Sequence, residues 1–192
     1  AYGATGAGKT HTMMGSERVD EGHGGGRPCG IIPQSLIDIF DHVEQKRETC
    51  DERLDSSNVL VSYLEVYNEQ VYDLLDPTGR ALALREDSQH GIVKVSGLHE
   101  ASVDTPEEVL ELLRFGNRQR KTEPTAANQV SSRSHAVLQV IVRYTTLDES
   151  GNDLVRESKL SLIDLAGSER ASATNNKGAR LQEGANINKC VG

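Results

Sequence analysis

The sequence predicts an α/β domain, three layers built around a central mixed sheet, of the P-loop NTPase class. Three observations predict it. Residues Gly3-Ala4-Thr5-Gly6-Ala7-Gly8-Lys9-Thr10 read G-x-x-x-x-G-K-T, in which glycines let backbone N–H groups curl inward and a following helix aims its positive end at one point. Leu160-Ser161-Leu162-Ile163-Asp164 is an apolar strand ending in a carboxylate, the Walker B pattern. Between the two motifs, apolar runs of strand and helix periodicity alternate.

At 192 residues the length prior gives one domain with room for a core. Hydrophobic content is 36% and mean hydropathy is -0.50. There is no run of about 18 apolar residues, so no membrane span is expected, and no signal-peptide pattern. Cys29, Cys50 and Cys190 are odd in number and lack a C-x-x-C, which favours reduced thiols in the cytosol. The 6 histidines show no ligand spacing, so no structural metal site is expected. A net charge of -8 argues against a nucleic-acid binder. The charge is uneven: residues 16–55 hold ten acids against five bases, residues 165–192 four bases against two acids. An acidic partner would meet the second region. Only Ala1 and Tyr2 precede the loop, and Ile187 to Gly192 stop inside a helical-looking run. The chain therefore reads as a partial domain over 1–192, truncated at both ends.

Taken in order, Lys9 to Met14 starts a helix after the loop. Ser16 to Gly30 holds glycines at 22, 24, 25, 26 and 30 and reads as a flexible surface loop. Pro33 to Glu48 places Leu36, Ile39, Phe40 and Val43 at helical spacing. Asn58 to Val66 is nearly continuous in apolar residues, as in a strand buried on both faces. Asn68 is expected to cap a short helix through Leu75, ended by Asp76-Pro77. Short strands are expected at Leu82–Arg85, Ile92–Val95 and Leu98–Val103, broken by Gly91 and Gly97. Thr105-Pro106-Glu107-Glu108 is a helix start with an N-cap, an early Pro and a capping-box Glu. That helix buries Val109, Leu110, Leu112 and Leu113 and ends on Arg114, Arg118, Arg120 and Lys121, read as a solvated basic end. Ala136, Leu138, Val140, Val142 and Tyr144 alternate along a strand, Ser150 to Asp153 turns, and Ser158 to Leu165 returns.

The chemistry follows from residue types. Lys9 brings a mobile cation to the β- and γ-phosphates, and the Thr10 hydroxyl is a hard ligand for Mg²⁺. Asp164 holds the same ion through water. Gly167 lets backbone approach a γ-phosphate and swing when it leaves. Asn128 to His135 offers clustered hydroxyls and one cation for a second phosphate-sensing loop. The three together make an NTPase with two γ-phosphate sensors. A guanine-reading N-K-x-D, which a GTPase switch needs, does not occur.

GATGAGKTHTM at 3–13, SYLEVYNEQVYDLL at 62–75, NQVSSRSHAV at 128–137, LSLIDLAGSERAS at 160–172 and EGANINK at 183–189 resemble a kinesin motor domain. ALREDSQHGIVKVSGL and GNRQRKTEPTAANQVSSRSHAVLQV are most similar to the kinesin-8 branch. The resemblance implies the kinesin motor fold, MgATP as cofactor, microtubule-stimulated ATP hydrolysis and residence on the microtubules of the cytoplasm. It implies roles residue by residue. The loop from Gly3 to Thr10 holds phosphate, and His11 packs beside adenine. Asn128, Ser131 and Ser132 belong to switch I, with Ser132 near Mg²⁺ and the γ-phosphate. Asp164, Gly167 and Glu169 belong to switch II. Arg133 and Glu169 form the ion pair that closes the site, and Glu169 relays a proton from water. Tubulin would be met by residues from Arg170 to Cys190, and by 85–100 as a second contact. Neither nucleic acid nor membrane is an implied partner, and the oligomeric state is not encoded here.

Overall fold

The computed structural model describes residues 1–15, 30–49, 57–87, 91–120 and 134–168. Strand β1 (Ser57–Tyr67) is the axis of the sheet because its apolar run can be buried from both sides. It pairs with β2 (Gln70–Asp73), β5 (Ala101–Val103) and β6 (His135–Leu147). With β3 (Ala81–Asp87), β4 (Ile92–Ser96) and β7 (Asp153–Asp164) the order is β4-β3-β2-β1-β6-β7, and β5 joins β1. These pairings are antiparallel. Ala1 adds a single parallel-type bridge at the end of β7. Its amino group donates to the Ile163 carbonyl at 2.6 Å, and its own carbonyl accepts from Leu165 N–H at 3.2 Å, the slanted pattern of a parallel pair.

Helices α1 (Lys9–Met14), α2 (Ile31–Thr49) and α3 (Pro106–Gln119) pack into one core with this sheet. Tyr63 lies opposite Leu138 and Val61 opposite Val140, so the four side chains point the same way. They join Met13, Leu36, Val43, Val109 and Leu113 in one core. Leu36, Leu113 and Leu138 are fully buried, and truncating any of them to Ala costs about 2–5 kcal/mol. α2 starts slightly before its predicted position, with Pro33 in the first turn, where a missing N–H breaks no helical bond. α3 is capped as expected: Thr105 Oγ1 accepts from Glu108 N–H at 3.3 Å, and the Glu108 carboxylate reaches back to Asp104 N–H at 2.8 Å. Farther along, a Cβ on Gly116 would meet the Tyr63 ring at 2.5 Å. Glycine is what lets α3 lie against β1.

Two expectations are corrected. The helix expected from Asn68 to Leu75 is a β-hairpin. Asn68 and Glu69 take φ of 50° and 63°, the pair of positive angles that a two-residue turn needs to match strand twist. Gln70 to Asp73 then pairs back on β1, with Tyr67 opposite Gln70. Alternation decided it, since Val71 and Asp73 are buried while Gln70 is exposed. Asp73 accepts from Leu75 N–H at 2.8 Å and His99 N–H at 2.7 Å, which fixes the hairpin's exit. The second correction is Arg120: Arg114 and Arg118 are exposed as expected, but Arg120 is buried. The strands expected between 82 and 103 form, the last shortened to Ala101–Val103. The loop read at 16–30 lies outside the described residues except for Gly30. The tubulin-facing stretch at 170–190 and the cysteines also lie outside them.

Candidate functional site

The nucleotide loop sits where the helical layer meets the end of β7. Gly6 and Gly8 have φ of 80° and 79°. A Cβ at either would touch nothing within 4 Å, so backbone conformation, rather than space, demands glycine there. Gly8 is also the N-cap of α1. Lys9 folds back over the loop, donating from Nζ to the carbonyls of Gly3 at 2.8 Å and Ala4 at 3.0 Å. These neutral acceptors hold the ammonium at the loop, and a phosphate oxygen would replace them with a charge-assisted bond.

Thr10 and Asp164, separated by 154 positions in the chain, meet: Thr10 Oγ1 donates to Asp164 Oδ2 at 2.7 Å. The carboxylate is buried, and its other oxygen, Oδ1, has no hydrogen-bond partner among the described residues. A buried carboxylate oxygen without a partner is costly, and a hydroxyl beside it completes a hard oxygen pair. That donor set fits Mg²⁺ with its retained waters. When bound, the ion supplies charge neutralisation for phosphate.

The chain leaving β7 stays on the same frame. Ala166 and Gly167 are buried, and Ser168 N–H donates to the Gly3 carbonyl at 3.2 Å, tying the strand's exit to the loop. Ala166 N–H donates to His135 Nδ1 at 3.0 Å, which leaves the ring proton on Nε2. Burial, and secondarily the Arg120 guanidinium, hold the His135 pKa below its usual 6.5. The ring is neutral, as an acceptor must be.

Of the residues read from sequence, the structure brings together Gly3 to Thr10, Asp164 and Gly167. His11 follows on α1 with its side chain exposed. Asn128, Ser131, Ser132, Arg133 and Glu169 lie outside the described residues. Sequence reasoning missed Glu65 and read Arg120 as solvated; with Ser134, from the hydroxyl-rich stretch Asn128 to His135, they form a buried cluster. One signal was available: a Glu inside the apolar run Val59 to Val66 must find a cation or lose its charge. Tyr63 belongs to the same cluster. Its hydroxyl donates to Asn117 Oδ1 at 2.8 Å, and burial pushes its pKa up to about 12.

A glycine-rich loop, its lysine and a helix-borne threonine bonded to a strand-ending aspartate define a P-loop NTPase fold. The family model described as kinesin motor domain matches residues 1–191, and the chain belongs to that family. It is 48% identical to the kinesin-like protein KIF19 of Homo sapiens, over 100% of this chain and 18% of the relative. It is 52% identical to KIN-8A of Arabidopsis thaliana, over 99% of this chain and 24% of the relative. KIF18A of Mus musculus is 49% identical, over 100% and 20%. The similarity to kinesin-8 members expected from the sequence is thus present. Among solved structures it resembles KIF14, residues 391–772, bound to AMP-PNP and a microtubule, with a TM-score of 0.78 and 34% identity. That alignment covers 99% of this chain and 50% of the neighbour.

Proposed function

We propose that this chain is the nucleotide-binding part of an ATP-driven microtubule motor. One observation carries the reading: the 2.7 Å bond from Thr10 to Asp164, with Lys9 poised on the adjoining loop. It supports the reading because Thr10 and Asp164 would be the two halves of a Mg²⁺–phosphate site. Lys9 and the loop N–H groups would bind phosphate, while Thr10, Ser132 and, through water, Asp164 would hold Mg²⁺. Gly167 would give its N–H to the γ-phosphate. Arg133 would pair with Glu169 to close the site, and Glu169 would take the proton of the attacking water. Phosphoryl transfer needs this placement and charge neutralisation more than covalent help.

Microtubules are the partner that the family favours, through residues near 170–190, where bases outnumber acids, and 85–100. In the second region the β3–β4 pair sets Arg85 directly opposite Lys94. Leu84 and Val93 on the same hairpin are well exposed. A cytoskeletal location follows from that partner.

The test is Lys9→Ala in the full-length protein. Losing a charge-assisted phosphate partner should weaken ATP binding by about 1.5–3 kcal/mol. Calorimetry showing parental ATP affinity would overturn the assignment. Glu169→Ala should bind ATP and microtubules yet lose stimulated phosphate release, and near-normal turnover would remove Glu169 from the chemistry.

A further inference from the structure

The phosphate and metal contacts described above leave one charged group beside the site without a role. Arg120 ends α3 as its C-cap. Its Nε donates to Glu65 Oε1 at 3.4 Å, and its Nη2 donates to Ser134 Oγ at 2.8 Å and to the Ser134 carbonyl at 3.4 Å. Arg120 is 8% exposed, Glu65 2% and Ser134 0%. Burying such a pair is expensive, and well-packed apolar side chains of similar volume usually serve stability as well or better. The placement is therefore the informative part. Glu65 belongs to the central strand, Arg120 ends a helix, and Ser134 immediately precedes β6. One guanidinium ties all three together.

The contacts continue toward the nucleotide loop. Ser134 is followed by His135, whose Nδ1 receives Ala166 N–H. Ala166 stands two residues beyond Asp164, which receives the Thr10 hydroxyl, and one before Gly167. Ser134 is thus joined to the Ala166–Gly167 backbone through the adjacent His135. Lys9 is held by the carbonyls of Gly3 and Ala4, whereas Arg120 is held by Glu65 and Ser134, so the cluster adjoins the Ala166–Gly167 end of the site rather than the lysine. We propose that Arg120, held by Glu65, is a positioning residue that seats Ser134 and, through His135, the Ala166–Gly167 backbone for γ-phosphate recognition. The role rests on the MgATP reading above. It makes the γ-phosphate end of the site depend on a side chain that touches no phosphate.

The test compares ADP with a non-hydrolysable ATP analogue in the full-length protein. Glu65→Met with Arg120→Met leaves no unpaired buried charge, so its melting temperature should match the parent. ADP affinity should be unchanged, while analogue affinity and turnover should fall by about 10- to 100-fold, as for other supporting residues behind a ligand-binding group. Arg120→Lys should show the same selective loss, because an ammonium lacks the planar fork that reaches Glu65 and Ser134 at once. Parental analogue affinity and turnover in the double variant would overturn the proposal. So would parallel losses of ADP affinity, analogue affinity and melting temperature, which would mark a merely structural pair. If the double variant does not fold, Ser134→Ala decides: it removes one acceptor without exposing a charge, and it must still weaken the analogue alone. Lys9→Ala separates this role from the reading beneath it. A Lys9→Ala protein that binds both nucleotides like the parent overturns both. Loss of both nucleotides there, with a fully active double variant, overturns only the positioning role.

Discussion

Two arginine–glutamate pairs in this molecule use the same chemistry in opposite surroundings. Arg143 meets Glu157 at 2.8 Å across the β6–β7 pair, with both side chains about two-fifths exposed. Arg120 meets Glu65 at 3.4 Å, with side chains 9% and 2% exposed. Distance would rank the first pair as stronger. Solvent reverses the ranking, because water screens the surface pair and rehydrates either partner when the other is lost. Inside, nothing replaces a missing partner, and the survivor keeps its full desolvation cost. What the comparison teaches is that consequence follows burial rather than bond length. The buried pair also carries a third partner, Ser134, at 2.8 Å, whereas the surface guanidinium adds Glu100 at 3.9 Å.

The comparison breaks most visibly at Glu65. Glu65→Ala strands the Arg120 charge in the core and should destabilise the protein by about 3–5 kcal/mol in urea unfolding. A loss typical of a surface site would mean that water reaches the cluster.

A smaller effect sharpens the electrostatic side. His135 lies near the same guanidinium, and its pKa is depressed from 6.5. The unfolded chain binds a proton near 6.5 that the native ring refuses, so stability rises with pH. The His135 contribution is fully present above that value and fades as the pH falls toward the depressed native pKa. His135→Asn keeps an acceptor for Ala166 N–H and removes the titration. Between pH of about 7.5 and 5.5 the parent should lose more stability than this variant. Equal slopes would place the proton uptake elsewhere.

The smallest effect belongs to the surface pair. Arg143→Ala should leave the melting temperature close to the parent's, and added salt should shrink any remaining difference. A large, salt-insensitive loss would show that the exposed pair is organised more tightly than its surroundings suggest.

Much of the site was legible because its parts are local. The loop from Gly3 to Thr10 carries its glycines, its cation and its helix start within eight consecutive residues, and Asp164 closes an apolar strand. The α3 start was readable for the same reason: Thr105 accepts from Glu108 N–H, Glu108 accepts from Asp104 N–H, and Pro106 sits where no N–H is needed, all within a single turn. The hairpin at Asn68–Glu69 was misread because its turn lacks glycine, and polar residues there cap helices as readily as they turn strands. Only pairing with β1 chose between the two outcomes.

By itself, then, the sequence determined the glycine-rich loop, the strand-ending carboxylate, the α3 cap and the α/β class, since each depends on residues within a few positions of one another. Tertiary structure alone decided that Thr10 meets Asp164, that Gly116 must yield to the Tyr63 ring, and that Arg120 leaves solvent for Glu65. Those outcomes depend on which surfaces exclude water, and desolvation is set by neighbours that arrive from distant parts of the chain.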